Sequence, residues 1–145
     1  MTSGSNRLEA ADYKRMEEQA RDTFWGYLGV ELVELTDESV VAELDVVRHH
    51  LNMAGLLHGG VSTSLLDSIM GLLVMYKRPG ETVLTTNLNV HFTAPVSSGR
   101  IRAIANLIHE GARSYTAEGR VFDEAGNLCT FASGTFRVVG RRNDG

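Results

Sequence analysis

Residues 60–76 form the longest apolar run of the chain, dense in Leu, Ile, Met and Val, and no other segment restricts the fold as strongly. At 3.6 residues per turn the apolar side chains lie nearly all round the helix, so it must be covered on most sides. Lys77 and Arg78 place positive charge at its C-terminal end, and Pro79-Gly80 stops it. In a chain of 145 residues, such a helix is the axis of a single core. Beyond the helix the chain is almost wholly β: residues 83–92, 100–110, 114–123 and 128–139 read as strands, the last two joined by the turn Glu124-Ala125-Gly126-Asn127. Ahead of the helix, Tyr13, Met16, Ala20 and Phe24 repeat at helical spacing and predict an amphipathic helix over residues 9–24. Gly26 and Gly29 punctuate the chain, and residues 30–35 and 40–47 form a hairpin around Thr36-Asp37-Glu38-Ser39. Residues 49–57 are a loop. Residues 1–8 are expected to be a flexible terminus, 9–139 one domain, and 140–145 a flexible polar tail. A long apolar helix followed by antiparallel strands predicts an α+β fold, with an antiparallel sheet wrapped around a central helix.

Composition removes several classes of function. The formal net charge is -4, and no basic stripe is available to neutralise phosphates, which argues against nucleic acid as a partner. Asp67 and Ser68 interrupt the apolar run, so no membrane span is expected. The single Cys129 cannot close an intrachain disulfide, and no signal-type segment opens the sequence; a soluble cytoplasmic domain is the expectation. His49, His50, His58, His91 and His109 invite a metal reading, but none has a His-x-x-x-His or Cys partner spacing, so no metal is expected. His49 and His50 are expected to be exposed, and Cys129 to be packed within its strand. There is no Gly-x-Ser-x-Gly elbow and no Cys–His nucleophile signature.

The chemistry sits where the central helix begins. Asn52-Met53-Ala54-Gly55-Leu56-Leu57-His58-Gly59-Gly60 leads into Val61-Ser62-Thr63-Ser64-Leu65-Leu66-Asp67. A glycine pair at a helix N-terminus exposes unpaired N–H groups at the positive end of the helix dipole, which suits a developing oxyanion. A carboxylate in the middle of an apolar helix is costly unless it is paired or used. Asp67 lies at helical spacing from Thr63, Ser64 and Gly71, so one narrow polar stripe runs along an otherwise apolar surface. Pocket walls are expected from Leu56, Leu57, Met70 and Val74, with Phe24 and Trp25 of the first helix.

The stretch from Asn52 to Asp67 resembles the signature of the phenylacetate-degradation (PaaI-like) branch of the hotdog-fold acyl-CoA thioesterases. The strand Leu84-Thr85-Thr86-Asn87-Leu88-Asn89-Val90-His91-Phe92-Thr93-Ala94-Pro95-Val96 is similar to the one that comes after the helix in that family. The resemblance covers residues 24–139 and implies the hotdog fold, hydrolysis of an acyl-CoA thioester, and no cofactor or metal. It implies a homodimer, often paired again into a homotetramer. By position, Gly59 would supply the oxyanion-hole N–H, with Asn52 assisting at the thioester carbonyl or the water. Asp67 would be general base or nucleophile, Thr85 would help to place water, and His58 would support the loop. Substrate-binding candidates are Gly60, Ser64, Leu57 and, for the phosphates of coenzyme A, Arg113.

Helix geometry adds a constraint independent of the resemblance. Gly59 and Asp67 are eight residues apart, about 12 Å along an α-helix. A reacting carbonyl needs donor and base within about 3–3.5 Å. One helix cannot readily present both to the same carbon, whereas two antiparallel copies about a two-fold axis can. Two rivals stand beside hydrolysis. His58 with Asp67 superficially resembles the pair of a hotdog enoyl-thioester hydratase or dehydratase, although the Pro-rich loop and helix Glu of the acyl-carrier dehydratases are absent. A non-catalytic acyl-CoA binding protein is the other.

Overall fold

A computed structural model describes residues 10–141. The expectation for residues 1–8, and that for the last four residues of the tail, lie outside the described residues. The elements are α1 (Ala10–Ala20), α2 (Phe24–Leu28), β1 (Glu31–Leu35), β2 (Ser39–Asp45), a single 3-10 turn (Arg48–His50), α3 (Gly59–Lys77), β3 (Glu81–Phe92), β4 (Arg100–Glu110), β5 (Ser114–Phe122) and β6 (Leu128–Arg141). The six strands form one sheet in the order β1-β2-β4-β5-β6-β3, antiparallel at every pairing. The long central helix with this sheet around it is the hotdog arrangement.

Several strand boundaries differ from the sequence expectation by one or two residues, and three differences have a clear structural consequence. The one helix expected over 9–24 is two, because the Thr23 hydroxyl donates to the Ala20 carbonyl at 2.6 Å and the chain restarts as α2. A Cβ on Gly26 would lie 2.0 Å from the Arg21 carbonyl oxygen, so only glycine permits this tight junction. The central helix begins one residue earlier, at Gly59. At the other end β6 continues to Arg141, paired with Glu81 of β3, so the polar tail cannot start at Gly140. Pairing satisfies backbone groups whatever the side chains are.

The core lies between α3 and the sheet. Leu65, Leu66, Ile69, Met70, Leu73 and Val74 of α3 are completely buried, each worth about 1.5–3 kcal/mol on removal from water. They meet alternate residues of the strands, among them Leu44, Ile101, Ala103, Ala117 and Phe136. Small residues let the helix come close: a Cβ on Gly119 would sit 2.8 Å from Leu66 Cδ2. The sheet covers one face of α3. Contrary to a helix buried all round, Thr63, Ser64, Asp67, Ser68, Gly71, Leu72 and Met75 remain partly open along the opposite face. By length and composition alone α3 could cross a bilayer despite Asp67 and Ser68; in this fold it is the helix that the sheet packs upon. β3 is the far edge strand, pairing with β6 on one side, with Leu84 and Phe92 about half exposed.

Candidate active site

The loop ahead of α3 is closed by Asn52. Its backbone N–H donates to the Leu56 carbonyl at 2.7 Å, and its Oδ1 accepts from the N–H groups of Ala54 and Leu56 at 2.9 and 3.1 Å. This is the Asx turn that Asn favours. Two N–H donors on one side-chain atom identify that atom as the oxygen, so the amide nitrogen is the end left over. Among the described residues the amide nitrogen has no partner, and Asn52 lies on the surface of a cavity. His58 then caps the helix. Its N–H donates to the His50 carbonyl at 2.8 Å, and its Nδ1 accepts from the Gly60 N–H at 2.7 Å. The Gly60 N–H is therefore spent internally. The Gly59 N–H, by contrast, meets no acceptor among the described residues and stands at the positive end of a 19-residue helix.

Close approach explains the glycine pair, since neither residue has positive φ. A Cβ on Gly59 would lie 3.0 Å from the Phe92 ring, and one on Gly60 would lie 2.9 Å from His58 Nδ1. Asn52, Leu56, Leu57, Gly59, Phe92 and Pro95 line a cavity of about 370 Å³. Cys129 forms part of its floor, buried as expected, with burial pushing its thiol pKa up and so holding it in the un-nucleophilic form.

Asp67 lies in a second cavity, of about 380 Å³. The Thr85 hydroxyl donates to Asp67 Oδ1 at 2.7 Å, joining α3 to β3. Around this pair the walls are mostly apolar: Leu72 and Met75 of α3, Val83 of β3, Met16 of α1, Trp25 of α2 and Leu32 of β1. Glu17 is the one carboxylate from α1 in the wall, and its Oε1 accepts from the Leu32 N–H at 2.7 Å. Neither Asn52 nor Gly59 borders this cavity, and neither Asp67 nor Thr85 borders the other. These residues, singled out from the sequence, thus fall into two separate cavities, at different points along α3.

Within the family profiles, that of the thioesterase superfamily matches residues 54–130, which takes in Gly59, Asp67 and Thr85. The chain belongs to the thioesterase superfamily. Solved structures agree. A thioesterase from Haemophilus influenzae is similar with a TM-score of 0.84 at 25% identity, over 88% of this chain and 90% of its own. Thioesterase superfamily member 2 of zebra fish gives 0.82 at 25% identity, over 92% and 99%. A conserved protein of Pseudomonas aeruginosa gives 0.79 at 28% identity, over 84% and 98%. The protein is a thioester hydrolase of the hotdog fold.

Several residues lie elsewhere in this thioesterase than the sequence suggests. Met70 and Val74 face the core and line neither cavity; Leu72 and Met75, on the side of α3 turned away from the core, line the Asp67 cavity instead. Trp25 enters the wall but Phe24 points outward, 57% exposed. Ser64 is half-buried on α3 and borders neither cavity. His49 is exposed, whereas His50 is buried to 2% exposure, contrary to expectation. Arg113 stands apart, beside a pocket of about 210 Å³ that it shares with Arg78, Glu81 and Arg141. Other cations are committed: Lys77 to Glu110 at 2.9 Å, Arg78 to Glu81 at 2.8 Å, and Arg100 to Glu31 at 2.7 Å and Asp45 at 3.0 Å. Arg113 and Arg137 form no ion pair among the described residues. Sequence reasoning missed Glu17, Val83 and Phe92. Met16 and Glu17 share a face of α1 that amphipathic periodicity marks as inward, and that was the available signal.

Proposed function

We propose that this thioesterase hydrolyses acyl-CoA thioesters in the cytoplasm, as a member of the phenylacetate-degradation branch, at sites shared between two chains. The observation behind this reading is the separation of the two half-sites, Asn52 with Gly59 and Asp67 with Thr85, along one helix. Eight residues at 1.5 Å each hold them about 12 Å apart, too far for one carbonyl. β3 offers an unpaired edge and carries both Thr85 and Phe92, one residue from each cavity. Pairing that edge with its copy about a two-fold axis would bring Gly59 of one chain to Asp67 of the other. The homodimer is then the catalytic unit, and a homotetramer would be a pair of such units.

In this arrangement the acyl group enters the apolar chamber beside Asp67. Asp67 draws a proton from water, which attacks the thioester carbon, or itself attacks to form a mixed anhydride that water opens. Either way the carbonyl oxygen gains negative charge, accepted by the Gly59 N–H and the Asn52 amide N–H of the other chain. Collapse breaks the C–S bond; the thiol leaves as coenzyme A with a proton, and the acyl group leaves as the free acid. Thr85 holds Asp67 Oδ1 and leaves Oδ2 for the reaction. Because Asn52 Oδ1 is fully used in its loop, Asn52 can only donate, which suits the carbonyl rather than the water. Arg113, uncommitted and beside Arg78 and Arg141, is the candidate for the phosphates of coenzyme A. His58 is engaged as a helix cap and lies in neither cavity, so no pair with Asp67 favours a hydratase.

Free-thiol release from a panel of acyl-CoAs tests the reading. Asp67→Asn and Asp67→Ala are expected to lose about 10²–10⁴ in turnover. Unchanged turnover in either variant refutes the role of Asp67, and water addition to an enoyl-CoA would favour the hydratase.

A further inference from the structure

His50 is the one fully buried histidine among the described residues, and thioester hydrolysis at the two half-sites makes no use of it. Its Nε2 lies 2.8 Å from the Leu28 carbonyl oxygen, and its Nδ1 accepts from the Val47 N–H at 3.1 Å. An acceptor role at Nδ1 leaves the proton on Nε2, which donates to Leu28. Burial holds the imidazole pKa below its ordinary value, in keeping with that neutral tautomer.

What the imidazole joins is informative. Leu28 is the last residue of α2, the helix whose Trp25 walls the Asp67 cavity. On the backbone side, the His50 carbonyl accepts from the His58 N–H at 2.8 Å, and the Leu51–Leu57 bridge lies directly beyond it. Residues 50–58 are thereby pinched at their base, with Asn52 on the loop and Gly59 at its exit. Each partner is otherwise complete. α2 has its own C-cap at Gly29, with φ of 83°, and the loop is closed by Asn52 itself. The imidazole is required by neither element alone; it couples the two.

We propose that His50 is a positioning residue, whose hydrogen bond to Leu28 sets the Asn52 amide and the Gly59 N–H in register for the oxyanion. The inference rests on the hydrolytic reading of the shared site. Oxyanion donors are effective only when preorganised, and a displacement of about 1 Å can cost about 10² in rate. A fully bonded, buried imidazole is a stiff link between a helix end and a loop.

Two substitutions separate the imidazole's two bonds. Gln places an amide N–H near the Nε2 position and can reach Leu28, whereas Asn places an oxygen near Nδ1 and serves only Val47. His50→Asn is expected to lower kcat about 10- to 100-fold with KM within about two-fold, and His50→Gln to recover most of it. A second measurement compares two inhibitors in the same proteins: a thioether analogue that mimics the ground state, and an analogue bearing an oxyanion. The Asn variant should lose affinity for the oxyanion mimic alone. Equal activity of both variants and wild type, a loss in KM only, or a parallel loss for both inhibitors overturns the proposal. If His50→Asn does not fold, His50→Gln decides: near-native kcat supports the link, and a folded Gln protein with kcat about 100-fold down refutes it. Should Asp67→Asn be inactive while folded His50→Asn is fully active, this inference fails and the functional reading stands.

Discussion

The proposed sharing of the site between two chains makes a quantitative prediction about mixed dimers. Asp67→Asn removes the proposed base with no change of shape. Asn52→Asp keeps the oxygen that accepts from Ala54 and Leu56 but replaces the free amide donor with a second acceptor. Each homodimer should be nearly inactive, down about 10²–10⁴ for the base and about 10²–10³ for the donor. If Asp67 of one chain works with Asn52 of the other, a heterodimer has one site with both defects and one with neither. Random assortment makes about half of the dimers heterodimers, each with one intact site of two, so the mixture should recover about a quarter of wild-type activity. Heterodimers purified through two different tags should show about half. The assay is free-thiol release from co-expressed chains, at equal total protein. Were Asp67 and Asn52 of the same chain to act together, every site in the heterodimer would carry one defect. The mixture would then stay at or below about one per cent, and the reasoning from the 12 Å helical separation would be refuted.

Thr85→Val removes the donor to Asp67 Oδ1; because the pair is exposed, a loss of about ten-fold in kcat is expected, near the lower end for bonds to a charged group. Thr85→Ser should restore it in the same thiol-release assay. Gly119→Ala would drive a Cβ to 2.8 Å from the fully buried Leu66 Cδ2 and to 3.4 Å from the Ile104 carbonyl oxygen; overpacking of this kind should cost about 1–3 kcal/mol in urea denaturation. An unchanged midpoint would mean that α3 can move away from the sheet freely. Burial lowers the His50 pKa in the folded state, so below about pH 6.5 the unfolded chain takes up a proton that the native one does not. The His50 contribution to stability is complete above that pH and declines as pH falls from it toward the native value. Urea midpoints measured from pH 7.5 to 5 should fall more steeply in wild type than in His50→Gln, and parallel slopes would refute the assignment.

The strongest signals in the sequence were local. The predominantly apolar run over 60–76 announced α3 because apolar residues round most of a helix need cover whatever surrounds them. The four strands after it were legible for an equally local reason, with turn residues such as Glu124-Ala125-Gly126-Asn127 between them. The division of the site was also legible: the spacing of Gly59 and Asp67 along a helix of known rise keeps them apart in any fold. Motif residues alone, however, left their hydrogen bonds unstated. Asn52 could have offered either end of its amide, and the loop it closes decided which.

Long-range contacts settled the rest. Thr85 reaches Asp67 because β3, having left α3, passes beside that helix on its way along the far edge of the sheet. That edge placement comes from pairing with β6, whose partners run from Arg141 opposite Glu81 to Thr130 opposite Phe92, far along the chain and without a local signature in β3. Burial of His50 depends on α2 ending against it, a meeting of residues 22 apart in sequence. The half-open stripe of α3 is likewise tertiary: six strands cover one face of the helix, and an apolar sequence cannot say which side a sheet will take. Most of the elements, and the distance between Gly59 and Asp67, were already implied by residue order, because both come from backbone geometry within one helix or strand. Which side chains complete each half was decided only in the folded chain, because those partners come from other elements that the sheet brings alongside.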